Sequence, residues 1–261
     1  MDQRGTGERF PRSFWTANVT ELFERAAYYA VASFVVLYLG RLGLGDYWPS
    51  TLNGFMWAIL YFLPILSGTV ADQVGFRRAL LVCFVLLGAG YFLMGFPVWF
   101  GGAALETSPA TEVTAGAGVV IPVLLGILLI GIGGSVVKPC ISGTVQKTGG
   151  ARRTLAFAVF YMVINIGSLA GRGVSYGVRT RWDLAGIFAV GAVFSVIAFL
   201  TVLFVYRDPE VELGAAAPAA KPRRSVWRIL ADMVVVLRNR RFALFLLVSS
   251  GFFFLYAQVY N

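Results

Sequence analysis

Two glutamates, an arginine and a tyrosine fall at helical spacing inside one apolar stretch: Glu21, Glu24, Arg25 and Tyr28, in ELFERAAYY, residues 21–29. At i, i+3, i+4 and i+7 they share one face of a helix. A charge at mid-bilayer depth costs roughly 3 kcal/mol on insertion scales. Three of them in one span imply a face turned to protein or water and a task to perform there.

The same chemistry recurs on two later stretches. GIGGSVVKP, residues 131–139, sets Lys138 beside Pro139, whose missing N–H frees a carbonyl and invites a bend. Further on, Tyr161, Asn165, Ser168 and Arg172 form a polar stripe at i, i+4, i+7 and i+11, interleaved with glycines spaced four apart, Gly167 to Gly171 and Gly173 to Gly177. Arg172 lies toward the outer end of its stretch, where snorkelling to the interface is the simpler reading.

The elements that must position these residues are written in the composition. Of 261 residues, 58% are hydrophobic, 13% are charged and none is His, a balance that excludes an ordinary soluble domain and points to an all-α, polytopic membrane protein. Seven apolar stretches, at about 14–39, 48–70, 79–100, 119–145, 154–176, 185–206 and 242–260, are each long enough to cross a bilayer as a helix. The first is too long, and too polar in its middle, for a cleaved signal peptide.

The net charge of +9 is topology rather than a nucleic-acid footprint. Alternate loops carry Arg4, Arg9 and Arg12, then Arg77 and Arg78, then Lys147, Arg152 and Arg153, then eight cations from Arg207 to Arg241, together 16 of the 22 Lys and Arg. The opposite side holds Arg41, Arg179 and Arg181, so the positive-inside rule places the N-terminus in the cytoplasm of a cell-membrane protein. Only Arg25, Lys138 and Arg172 remain inside spans.

Topology fixes depth. Glu21 to Arg25 stand about 10–17 Å above the cytoplasmic end of the first helix, and Lys138, Tyr161 and Asn165 fall at the same level on the fourth and fifth. Acid and base together with Tyr28, Tyr29, Tyr161 and Asn165 suit the binding of a zwitterion and the carriage of a proton. The competing role for such charges is polar glue between helices. Glu21 and Arg25, four apart, are expected to pair within the helix; Glu24 points about 100° away from Arg25 and is expected to meet Lys138.

Three regions follow from the pattern: a six-helix bundle over 1–206, a cytoplasmic linker over 207–241, and a seventh helix over 242–261. Gly101 to Gly118 reads as a flexible external hairpin tip. Within the linker, Ser225 to Leu237 reads as an interfacial amphipathic helix or as a plain charged linker. Cys83 and Cys140 fall in separate spans as buried reduced thiols. No cofactor is implied: metal-ligand spacing is missing from the sequence, and no nucleophile, base and orienter share a depth, which argues against an enzyme.

GTVADQVGFRR, Gly68 to Arg78, forms a tight cytoplasmic turn carrying Asp72 and two arginines. It resembles the cytoplasmic signature of the major facilitator superfamily, whose members carry two six-helix halves and work by alternating access. Glu21-x-x-Glu24-Arg25-x-x-Tyr28-Tyr29 is similar to the first-helix signature of the proton-coupled oligopeptide transporter family within it. Phe160-Tyr161-x-x-Ile164-Asn165-x-Gly167-Ser168-Leu169 looks like a second signature of that family, and Gly131-x-Gly133-Gly134-x-x-x-Lys138-Pro139 like its lysine motif.

The resemblance implies symport of di- or tripeptides with protons. Glu21 and Glu24 would then serve proton coupling, Arg25 and Lys138 would face the peptide carboxylate, and Tyr28, Tyr29, Tyr161 and Asn165 would line the peptide site. Gly68, Asp72, Gly75, Arg77 and Arg78 would belong to a cytoplasmic gate. Two positions depart from the family pattern: Ala26 stands where an aromatic is common, and the seventh stretch has Gln258 but no acid. Nitrate or another small solute therefore stays open as cargo. Six helices, a basic linker and a seventh span lead to the expectation of a partial chain lacking its C-terminal half, or of a half-length product that pairs with a partner chain. A membrane binding or regulatory subunit that does not transport is the other reading.

Overall fold

The computed structural model describes residues 9–214, 231 and 235–260, and of residue 253 and residues 256–260 the backbone alone. Among the described residues there is no strand; an isolated bridge joins Leu44 to Val113, and the rest is helix, turn and loop. The chain divides into two compact units, Met1–Ala219 and Ala220–Asn261.

Eight long helical segments build the first unit: α1 (Arg12–Ala32), α2 (Val35–Arg41), α3 (Tyr47–Phe62), α4 (Pro64–Val74), α5 (Phe76–Trp99), α6 (Ala117–Gly149), α7 (Arg153–Trp182) and α8 (Gly186–Phe204), followed by the single turn α9 (Pro209–Glu212). The first two expected spans are each bent pairs, α1 with α2 at 43° and α3 with α4 at 47°. Pro64 opens α4 and explains the second break, since its ring clashes with the carbonyl four residues back. At the first, Ser33 Oγ donates to the Tyr29 carbonyl at 3.0 Å, the back-bonding that bends helices. With these pairs taken as single spans, and with α6 and α7 turning on the 3₁₀ segment Gly150–Arg152, the unit holds six membrane-length elements.

The helix with two internal prolines stays whole. α6 runs through Pro122 and Pro139 as one continuous helix of 33 residues. The carbonyl that Pro139 cannot bond is that of Ser135, and Ser67 of α4 donates its hydroxyl to it at 2.9 Å. Gly68, the next residue, packs directly against the Pro139 ring. Ser67 and Gly68 of α4 thus cover the proline defect in the lysine-bearing helix.

A core of Tyr38, Leu80, Phe84, Tyr91, Met94, Ile127, Ile141 and Phe188, each at most 2% exposed, ties α2, α5, α6 and α8 together. Tyr38 adds a hydroxyl donated to the Met94 carbonyl at 2.6 Å. α1 lies against α6, α7 and α8. On α7, Gly167 and Gly171 bring the two backbones into contact: a Cβ at Gly167 would stand 2.8 Å from the Leu22 carbonyl oxygen, and one at Gly171 would strike that of Ala26.

The loop between α5 and α6 is not the free hairpin tip its composition suggested. Where α2 ends, the carbonyls of Gly40, Arg41 and Gly43 lose their helical partners, and the N–H groups of Ala110, Glu106, Thr114 and Ala115 fill them at 2.8–3.0 Å.

In the second unit, α10 (Arg240–Tyr260) is capped by Asn239, whose side-chain oxygen accepts from the Arg241 and Phe242 N–H groups at 3.1 and 3.4 Å. The amphipathic reading of Ser225 to Leu237 lies largely outside the described residues, as does the side chain of Gln258.

Candidate binding site

Glu21, Glu24 and Arg25 form one buried ionic cluster on α1, exposed by 0%, 3% and 7%. Arg25 donates from Nε to Glu24 Oε2 at 2.5 Å and from Nη2 to Glu24 Oε1 at 2.6 Å, a bidentate fork. Its Nε also stands 3.5 Å from Glu21 Oε1, though neither Glu21 oxygen accepts a hydrogen bond.

The expected Glu21–Arg25 pair is present, whereas Glu24, expected to reach across to Lys138, turns to its neighbour Arg25 instead. The Cβ directions of neighbouring residues diverge, but both side chains are long enough to curl back into one plane. Lys138 is exposed and makes no ion pair among the described residues. Two carboxylates around one guanidinium leave a negative charge in excess unless a proton or another cation joins them.

The guanidinium is sandwiched as well as paired. Arg25 lies 4.8 Å from the Tyr28 ring centre. Tyr28 packs edge-on against Tyr29 on one side and Trp57 on the other, and Trp57 stacks on Tyr61 at 5.5 Å.

In front of this cluster opens a cavity of about 380 Å³, lined by Arg25, Tyr28, Leu60, Tyr61, Pro64, Gly134, Lys138, Pro139 and Ser142. Of the sequence-predicted site residues, it gathers Arg25, Tyr28 and Lys138. Glu21 and Glu24 stand behind it as the buried backing of Arg25. Tyr29 is one ring removed. Tyr161 and Asn165 are exposed on α7, where Asn165 donates to the Tyr161 carbonyl at 2.8 Å, and neither lines this cavity.

Tyr61, Trp57 and Ser142 were not foreseen. An aromatic in an apolar run carries no periodic mark of its own; the cue available was the four-residue spacing of Trp57 and Tyr61 just ahead of Pro64. Arg172 was read as snorkelling, yet its guanidinium lies 5.2 Å from the Tyr29 ring centre.

A second polar cavity, about 500 Å³, adjoins the first toward the C-terminal end of α6, sharing Pro139 and Ser142 and lined further by Gly68, Asp72, Phe76, Gln146, Lys147 and Arg153. Lys147 sits 2.9 Å from Glu210 and 4.0 Å from Asp72, over the Phe76 ring. Arg77 donates its backbone N–H to Asp208 at 2.9 Å and its Nη2 to the Leu203 carbonyl at 2.7 Å. Gly75, at φ +96°, makes the turn that delivers Arg77 there, a conformation costly for any side chain. Gly68 and Asp72 line this cavity, Gly75 and Arg77 lie against Asp208, and Arg78 is exposed. The partners Lys147, Asp208 and Glu210 were missed because they lie far along the chain in stretches with no motif.

A model of the Major Facilitator Superfamily matches residues 14–261. The chain belongs to the major facilitator superfamily. Its curated relatives include Peptide transporter family 1 of Drosophila melanogaster, 28% identical over 253 residues, covering 89% of this chain and 31% of that protein. A Di-/tripeptide transporter of Lactococcus lactis is 26% identical over 266 residues, covering 94% and 46%. Among solved structures, a peptide transporter POT in complex with sulfate superposes with a TM-score of 0.66 at 24% identity, over 95% of this chain and 48% of that one. This facilitator chain therefore spans between a third and half the length of the relatives it matches. At that identity the structural likeness establishes the fold, a helical membrane bundle of the superfamily.

Proposed function

We propose that this chain forms part of a proton-coupled symporter of di- and tripeptides working by alternating access, a carrier rather than an enzyme. The observation that carries the reading is Arg25: a guanidinium forked by Glu24, flanked by Glu21 and stacked on Tyr28, at the wall of a cavity that also holds Lys138. The names of the relatives, peptide transporters and di- and tripeptide permeases, support the cargo. The basic loops support a multi-pass protein of the cell membrane with its N-terminus in the cytoplasm.

The coupling follows from competition for Arg25. While Glu24 is ionised it occupies both forked donors. A proton on Glu24 removes one charge and breaks the bidentate pair, leaving those N–H groups and Lys138 for the carboxylate of a peptide. Proton and peptide then favour each other's binding, and by linkage the coupling runs equally both ways. Each net charge carried inward gains about 2.3 kcal/mol per 100 mV of membrane potential. Pro139 and the turn at Gly68 to Arg78 lie at the end where a cytoplasmic gate belongs. The facing wall of the cleft would come from a second half of the transporter, on the same polypeptide or on a partner chain.

The test is uptake of labelled Ala-Ala into proteoliposomes holding the protein. Uptake is expected to need an inward proton gradient and to disappear in Glu24→Gln. Equal uptake with and without the gradient removes proton coupling. Peptide binding without uptake makes this a binding or regulatory subunit, and competition by nitrate in place of dipeptides moves the cargo to another small solute.

A further inference from the structure

Arg172 is the one cation within the spans that the scheme above does not use. It sits on the exposed side of α7, seven residues beyond Asn165 on the same stripe, and makes no ion pair among the described residues. A charge so placed within an apolar helix is costly unless water, the interface or an anion meets it. The side chain is not loose, because its guanidinium carbon lies 5.2 Å from the centre of the Tyr29 ring. A guanidinium held over an aromatic face keeps its N–H donors free for a carboxylate.

Tyr29 connects Arg172 to the cavity. Three consecutive contacts, 4.8 Å from Arg25 to the Tyr28 ring, 5.1 Å from Tyr28 to Tyr29 and 5.2 Å from Tyr29 to Arg172, lead from one guanidinium to the other. Along that path the two guanidinium groups are no more than about 15 Å apart, a span that calls for an extended tripeptide: its backbone reaches about 10 Å, and a glutamate side chain on its first residue carries a second carboxylate farther out. The two arginines differ in one respect that matters. Arg25 already has two acids against it, whereas Arg172 has none, so only Arg172 presents an uncompensated charge to an incoming anion.

We infer that Arg172 is a specificity-determining residue: it holds a second carboxylate, the acidic side chain of an Asp- or Glu-containing peptide, while the cluster at Arg25 holds the main-chain end. This rests on the peptide-carrier reading above. An acidic peptide then gains a charge-assisted bidentate contact that a neutral one lacks, and the protein prefers tripeptides with an acidic first residue over their neutral counterparts.

The experiment compares Glu-Ala-Ala with Gln-Ala-Ala in the wild-type protein and in Arg172→Gln and Arg172→Lys, by equilibrium binding to the protein in nanodiscs and by KM for uptake. Wild type is expected to bind Glu-Ala-Ala more tightly. In Arg172→Gln the ratio of the two dissociation constants is expected to shift about tenfold against Glu-Ala-Ala, with a smaller shift in Arg172→Lys, which keeps the charge and loses the fork. Equal affinities in wild type, or a loss in Arg172→Gln that is the same for both peptides, overturns the assignment and leaves Arg172 a structural stacking residue. Wild type that binds neither peptide overturns the carrier reading itself, a result distinct from peptide binding without an acidic preference.

Discussion

Arg25 is held by two buried acids and an aromatic ring, and the consequences of removing it separate its structural from its binding role. Arg25→Ala leaves Glu21 and Glu24 buried with no cation between them, and breaking a buried pair in this way costs about 3–5 kcal/mol. Thermal unfolding in detergent is expected to show a large loss of stability. Arg25→Lys keeps the charge yet cannot make the bidentate fork seen to Glu24. It is expected to recover most of the melting temperature while dipeptide binding stays impaired; recovery of both would mean that Arg25 acts as a charge only. The sequence placed these residues on one face because helical spacing is a local rule. It could not give their pairing, since whether Glu24 turns to its neighbour or to another helix depends on side-chain reach.

At the scale of elements, the joint between α1 and α7 and the repair of α6 each depend on one small group. Gly171→Leu forces the α7 backbone away from the Ala26 carbonyl. Because Gly171 sits opposite the turn that follows Arg25, dipeptide binding is expected to fall together with stability. Ser67→Ala removes the one donor to the carbonyl freed by Pro139, at a cost of about 1–3 kcal/mol for the buried acceptor. Its melting temperature is expected to drop, and Ser67→Thr, which retains the hydroxyl, is expected to restore it. Long apolar runs made every helix of the bundle visible beforehand, and Pro64 marked one of the two breaks. The break at Ser33 and Phe34 had no such mark, because a back-bonded serine is common in straight helices too. The docking of residues 106–115 on the end of α2 was equally hidden: its bonds join backbone to backbone, and no side-chain pattern records them.

Across the whole bundle, the charge pattern and the packing make separate claims that meet in the segment after α8. Asp208 meets α5, Glu210 meets the end of α6, and Glu212 accepts from the Arg12 and Ser13 N–H groups at the start of α1, at 2.8 Å each. Three acids thus fasten the ends of three helices beyond the apolar part of α8. Slight burial pushes the Glu212 carboxyl up, but the hydrogen bonds from Ser13 and Arg12 and the charge of Arg207 outweigh it and hold the group below the usual carboxylate range. A depressed value means the ionised form is favoured by the fold, so its stabilisation is present near neutral pH and is lost as pH falls through that lowered value. Glu212→Gln is expected to melt below wild type at pH 7, with the gap closing in acid; a gap independent of pH would assign the contact to shape alone. The positive-inside count predicts that all of these fastenings lie in the cytoplasm. Cys83 and Cys140 are fully buried and offer a silent background for labelling. Ser108→Cys, exposed on the loop docked to α2, is expected to react in intact cells with a membrane-impermeant maleimide, while Thr154→Cys, exposed at the start of α7, reacts only after permeabilisation. The reverse pattern would invert the bundle and place Arg172, rather than Lys138, nearer the cytoplasm, so that the order in which a peptide meets the two cations would be reversed as well.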